Sequence, residues 1–153
     1  MDAGDWVLLA YRLPREPSTP RIALWRGLRR LGVAQLLDGL VALPADSRTR
    51  EQLEWLADSV VEAGGEATVW LGRPGSRAQE RAIASTMRAS VAAEYGTVIE
   101  QARTAAGSRK RTLGRLRREL RRIRRRDYFH APEREQAAAA VEVLAVGVEE
   151  LVA

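Results

Sequence analysis

Six consecutive apolar residues near the start of the chain, Trp6-Val7-Leu8-Leu9-Ala10-Tyr11, constrain its fold more than any other stretch. A strand with one wet face alternates apolar and polar residues, so this run is a strand covered on both faces or a central one. Asp5 and Arg12-Leu13-Pro14 bound it. The segments that follow supply its neighbours. Arg15 to Thr19 reads as a loop, Thr19 is placed to cap a helix, and Pro20 sits at a first helical position, where its missing N–H costs nothing. Leu24, Leu28 and Leu31 recur at helical spacing and Gly32 is a left-handed stop, so a helix is predicted from Pro20 to Leu31.

Between Val33 and Pro44, Asp38-Gly39 separates two short apolar runs, the pattern of a tight antiparallel hairpin. Asp46 or Ser47 then caps a second helix with Leu53, Leu56, Val60 and Val61 on its apolar side, ending at Gly64-Gly65. Ala67 to Leu71 favours a strand and stops at Gly72-Arg73-Pro74. The order βαββαβ predicts an α+β fold, a ferredoxin-like sandwich of four strands with two helices on one face, over residues 1–74.

Residues 75–153 carry no strand pattern and read as a helical extension. A long helix from about Arg77 to Ala105 repeats Ile83, Met87, Val91, Tyr95 and Val98, with Gly96 as a point of bending, before Gly107-Ser108 interrupts it. An Arg-rich helix from about Lys110 to Arg126 carries Leu113, Leu116, Leu120 and Ile123 as a seam of coiled-coil type. A final acidic amphipathic helix from about Pro132 repeats Ala137, Val141, Leu144, Val148 and Leu151. The last two are expected to pair as a hairpin hinged at Phe129-His130-Ala131-Pro132.

Charge is distributed unevenly. Residues 1–108 are neutral overall, residues 109–126 hold 11 Lys+Arg against Glu119 alone, and residues 127–153 are acidic. The net charge of +5 therefore comes from one short helix, the asymmetry of an interaction surface. At 100° per residue, Arg111, Arg115, Arg118, Arg122 and Arg125 fall opposite the Leu/Ile seam. At the helical rise they form a ridge roughly 21 Å long. A ridge of that length matches several backbone phosphates, and planar guanidinium groups grip phosphate oxygens two at a time. DNA is the expected partner, bound with strong salt dependence and little base selectivity. The plain alternative is a solvated face answered by Glu133, Glu135, Glu142, Glu149 and Glu150 of the final helix. Attachment to anionic lipid is disfavoured because the seam is narrow and lacks Trp and Phe.

Other chemistry is sparse. Cysteine is absent, which excludes disulfides, thiolate nucleophiles and Cys-based zinc sites. The amino terminus, Met1 to Asp5, is acidic, and the apolar run after it is too short for a signal-peptide core or a membrane span, so a cytoplasmic protein is expected. His130, the one histidine, reads as a surface or hinge residue rather than a ligand. Ser18, Ser47, Ser76 and Ser108 read as caps or loop residues, and Trp6, Trp25, Trp55 and Trp70 as core or interface anchors. No phosphate-cradling glycine motif is present. The expectation is a protein that is not an enzyme, with no metal site and no cofactor.

The run from Trp6 to Arg21, that from Leu31 to Pro44, and Ile123-Arg124-Arg125-Arg126-Asp127-Tyr128-Phe129 ahead of Ala131-Pro132 resemble the N-terminal domain of the ChrB family of chromate-resistance regulators. The first half is also similar to the ferredoxin-like middle domain of PaaX-type repressors. The ChrB resemblance implies transcriptional control of a chromate-efflux operon, with chromate as the signal. The family usually continues into a second, C-terminal domain, whereas this sequence ends at Ala153, and His130 stands where its pattern has glycine. No helix-turn-helix is recognisable.

A DNA-binding regulator using the Arg ridge, as a homodimer through the sheet or the helical seam, is the leading expectation. An alternative is a structural or docking partner for a separately encoded C-terminal sensor half. A third is a metal-dependent nuclease of the CRISPR adaptation type, which shares the βαββαβ core. Such enzymes place a carboxylate near the end of strand one to hold a cation. That place holds Tyr11-Arg12-Leu13, and Asp5 lies at the opposite end. Chromate is a dianion, so Arg12, Arg15 and Arg21 are candidates for binding an oxyanion by charge-assisted hydrogen bonds.

Overall fold

The structure, a computed structural model, describes residues 5–152. Of the acidic amino terminus, only Asp5 lies within the described residues. The elements run β1 (Trp6–Arg12), α1 (Thr19–Leu31), β2 (Ala34–Leu37), β3 (Leu40–Pro44), α2 (Ser47–Glu62), β4 (Glu66–Gly72), α3 (Arg77–Arg103), α4 (Arg109–Arg125) and α5 (Glu133–Val152). The chain divides into two compact units, Met1–Met87 and Arg88–Ala153, so the first turns of α3 belong with the sheet.

In the first unit the four strands form one sheet in the order β2-β3-β1-β4, antiparallel throughout. This is the ferredoxin-like βαββαβ arrangement expected. β1 is central, which accounts for its unbroken apolar run. Val7 and Leu9 are fully buried with Val41 and Leu43, their neighbours on β3. Trp6 and Ala42, on the other face, are also buried, and that face forms a cleft of about 720 Å³ that includes Leu8, Trp70 and Ile83. α2 packs on β1 and β4, and α1 lies on α2, where Gly27 faces Leu56.

Local chemistry sets the boundaries. Asp46 accepts a hydrogen bond from the Thr49 backbone N–H at 2.7 Å while Thr49 Oγ1 accepts from the Asp46 N–H at 2.9 Å, a capping box at the start of α2. Gly39 turns the hairpin with φ 76°, and its carbonyl accepts from the Tyr11 N–H at 2.8 Å. A Cβ there would collide with the Tyr11 carbonyl, so the turn needs glycine for space as well as for its dihedral. Gly32 ends α1 in the left-handed conformation, as predicted.

Several expectations need correction. α1 begins at Thr19, so the capping position falls on Ser18, which makes no side-chain cap bond. Val61 is 56% exposed, and Ala57 takes its place beside Leu53 and Val60, because those three share one helical stripe. Of the four tryptophans, expected as core or interface anchors, Trp6 is core, and the exposure of Trp25, Trp55 and Trp70 removes only the core alternative for those three. α3 ends at Arg103, two residues before the predicted Ala105. Leu151, expected on the apolar side of the last helix, is exposed.

A cationic helical hairpin as the candidate nucleic-acid interface

The second unit is built around α4. Its seam residues Leu113, Leu116, Leu120 and Ile123 are all buried, in one cluster with Val91, Tyr95 and Val98 of α3 and Ala137, Val141 and Leu144 of α5. Burying a side chain of this kind contributes about 1.5–3 kcal/mol. The seam thus fixes the rotation of α4 about its axis, and α4 and α5 pack as the expected hairpin.

With the seam inward, Arg111, Arg115, Arg118, Arg122 and Arg125 are all exposed, as are Arg109, Lys110, Arg117, Arg121 and Arg124. Arg115 donates to Gln101 Oε1 at 2.8 Å and Arg122 to Glu119 Oε2 at 3.2 Å. Among the described residues, Arg111 and Arg118 have no carboxylate partner. The salt bridge of Arg122 goes to Glu119 of the same helix, and those of Arg126, just after α4, go to Glu94 and Glu119. An exposed pair such as Arg122–Glu119 holds a guanidinium only weakly and leaves it able to exchange partners.

The turn after α4 is a polar knot that sequence reasoning missed. Arg126, with only 14% of its side chain exposed, grips Glu94 of α3 with two parallel bonds of 2.9 and 3.0 Å. Its neighbour Asp127 is buried and accepts from the Tyr95 hydroxyl at 2.9 Å and from the Ala131 N–H at 3.0 and 3.2 Å. Burial, and then the bond to Asp127, push the Tyr95 phenol well above the usual tyrosine range. The guanidinium of Arg88 lies over the Phe129 ring at 5.6 Å. His130 is exposed, as expected of a surface residue, and its φ of 53° is left-handed, the conformation glycine adopts without cost. One signal of this knot was present in the sequence: Asp127 reverses the charge immediately after the cationic run.

The other candidate cluster lies in the first unit. Arg12 and Arg21 line one open groove of about 1010 Å³ with Arg26, Trp25, Gln35 and Asp38. Arg15 is exposed and does not line it, and Arg12 is already bonded to Glu66 at 3.0 Å. Asp5, at the start of β1, pairs with Arg73 at 2.6 Å. Among the described residues, no three His, Cys, Asp or Glu side chains gather closely enough to hold a metal ion, and no helix is long and apolar enough to cross a membrane.

No solved structure matches the chain. Protein ChrB of Cupriavidus metallidurans is 38% identical over 66 residues, which are 43% of this chain and 20% of that protein. The matched part thus spans about a fifth of the relative's length. The family model described as "Protein ChrB, N-terminal" matches residues 21–108. That stretch runs from α1 through β2, β3, α2, β4 and α3 to Ser108, leaving out β1, and the cationic helix begins just beyond it. With more than half of the chain matched, and the sheet that β1 completes folded as the sequence requires, this protein belongs to the ChrB N-terminal family.

Proposed function

We propose that this chain is a nucleic-acid-binding regulatory protein of a chromate-resistance system, a transcriptional regulator of a chromate-efflux operon rather than an enzyme. Its contact element is α4. The observation that carries this reading is the exposed ridge Arg111, Arg115, Arg118, Arg122 and Arg125 on a helix whose rotation is fixed by a buried seam. A ridge held in register meets successive phosphates without first paying to order itself. The contacts are to phosphate, so affinity rests on charge and helix placement more than on base identity. Chromate is the proposed signal, and the groove containing Arg12 and Arg21 is where a dianion would meet guanidinium groups in the first unit.

The test is binding of the purified chain to its own upstream DNA and to an unrelated duplex across a salt series, with and without chromate. Five phosphate contacts give a slope of about −4.5 for log affinity against log salt. Charge reversal of Arg118 and Arg122 should flatten that slope by about 2 or more. Selective binding that chromate releases supports a self-sufficient regulator, while no binding at low salt sinks the reading.

A second reading has one specific observation behind it: the match to Protein ChrB covers only 20% of that protein. In this reading α4 docks the remainder of a ChrB-like protein, whose facing surface would be acidic. Competition between duplex DNA and the C-terminal part of the relative for the same Arg residues separates the two.

A further inference from the structure

α1 is a second cationic helix, masked in the overall charge because acids elsewhere in the first unit balance it. It carries Arg21, Arg26, Arg29 and Arg30 and no Asp or Glu. All four are exposed, and among the described residues none of them pairs with a carboxylate. Leu24, Gly27 and Leu28 are buried, which fixes the rotation of α1 and turns Arg21, Trp25, Arg26 and Arg29 outward. Trp25 is 57% exposed, a cost for so large an apolar ring, and the Arg29 guanidinium lies 4.9 Å from its centroid. Trp25, Arg21 and Arg26 line the open groove of about 1010 Å³, together with Arg12 at the end of β1 and Asp38 of the hairpin turn.

We propose that this groove binds an unpaired nucleotide, its base stacked on Trp25 and its phosphate held by Arg21 and Arg26. Three features select that ligand. The groove is far larger than a bare tetrahedral oxyanion needs and reaches the upper end of the range for small-molecule sites, about 300–1,000 Å³. An inorganic anion has no use for an exposed indole, whereas every base has a π face that stacks on one. Arg21 and Arg29, one turn before and one turn after the ring, are placed to meet the phosphates that flank such a base. Asp38 adds nothing to the binding of a bare dianion, but a carboxylate accepts hydrogen bonds from the amino group of adenine, cytosine or guanine. The bases of a duplex are stacked on one another and closed to Trp25, so the ligand is a free nucleotide or a single strand. A lipid surface is disfavoured, because beside Trp25 the exposed large apolar residues of α1 reduce to Ile22. The site belongs to the first unit and involves no residue of α4. It shares Arg12 and Arg21 with the groove proposed for chromate, but rests neither on chromate sensing nor on duplex binding.

The chain has four tryptophans and α4 has none. The indole N–H resonance of Trp25, identified by its loss in W25F, therefore reports on this groove and not on the ridge. The full chain is titrated with adenosine monophosphate, adenosine, ribose phosphate, thymidine monophosphate, a short oligodeoxyadenylate, a blunt duplex of the same length and phosphatidylglycerol vesicles. The expected result is a shift of the Trp25 signal by adenosine monophosphate and the oligonucleotide, with adenosine and ribose phosphate each weaker by about tenfold or more. W25A and the double variant R21E/R26E should each lose about tenfold or more in affinity, and D38N should remove a preference for adenine over thymine. Circular dichroism confirms that each variant is folded; if W25A is not, R21E/R26E and the Trp25 signal of the unmodified chain still decide. Tighter binding of the oligonucleotide than of the mononucleotide assigns the groove to single strands, and equal affinity assigns it to a free nucleotide. Ribose phosphate as effective as adenosine monophosphate reduces the groove to an anion site and overturns the proposal. So does a duplex that shifts Trp25 as far as the single strand, or undiminished binding by R21E/R26E. A response to vesicles without one to nucleotides, or no shift with any probe at millimolar concentration, overturns it as well.

Discussion

The hydroxyl of Tyr95 donates a 2.9 Å hydrogen bond to Asp127, joining two fully or nearly buried side chains that stand 32 positions apart in the sequence. The same carboxylate accepts the Ala131 N–H, so one residue ties α3 to the turn that launches α5. Asp127→Ala would leave the phenol and the amide without their acceptor. Its expected cost is about 2–4 kcal/mol, against about 1 kcal/mol for Tyr95→Phe, which keeps the turn bond. Urea unfolding of the two variants checks the ordering.

This bond also sets an alkaline limit on stability. The folded protein holds the Tyr95 proton more tightly than the unfolded chain does. The contribution is therefore complete below the ordinary tyrosine pKa of about 10 and is lost as pH rises beyond it, where the unfolded state ionises first. Stability measured at pH 8 and pH 11 should fall more steeply for the unmodified protein than for Tyr95→Phe. Equal falls would mean that Tyr95 does not keep its proton preferentially in the folded state.

Arg126 and Glu94 make a two-pronged contact that a point charge cannot reproduce. Arg126→Lys keeps the charge and loses the fork, so it should recover less than half of the roughly 1–3 kcal/mol that Arg126→Ala removes. A double-mutant cycle with Glu94→Gln isolates the pair. Coupling near zero would show that the residual exposure of both groups screens them.

His130→Gly should stabilise the protein by roughly 1 kcal/mol. A non-glycine residue at φ 53° carries the cost of the left-handed conformation. Relief of that cost exceeds the loss of the exposed contact between the His130 ring and Arg134 at 2.9 Å. Thermal unfolding reads the sign, and destabilisation would show that the His130–Arg134 contact matters more than the backbone.

The two faces of α4 should separate stability from binding. Leu116 is fully buried, so Leu116→Ala should cost about 2–5 kcal/mol. Arg118→Glu, on the exposed face, should change stability by less than about 0.5 kcal/mol while weakening duplex binding. Unfolding curves and binding isotherms on the same two variants make the comparison.

Periodicity and turn chemistry made most of the fold legible. The apolar run of β1, the Asp38-Gly39 hairpin, a cap at Asp46 or Ser47 and the α4 seam each act over a few neighbouring residues, so the order of elements and the outward position of the Arg ridge could be read directly. The three exposed tryptophans could not. Hydrophobicity says that Trp25, Trp55 and Trp70 gain by burial, but whether anything covers them depends on which faces the packed layers leave open. The Arg126–Glu94 pair was hidden for a related reason: within a run of eleven cations, nothing local marks the one whose side chain turns inward.

Local sequence thus determined the βαββαβ order, the three-helix extension and the face on which positive charge gathers, because helical and strand periods are properties of adjacent residues. Only the tertiary structure decided that Tyr95, Glu94, Arg126 and Asp127 meet, and that Trp25 and Arg21 share a groove with Asp38. Contacts across 32 positions and the lining of a groove depend on which elements lie side by side, and the packing of the whole unit settles that.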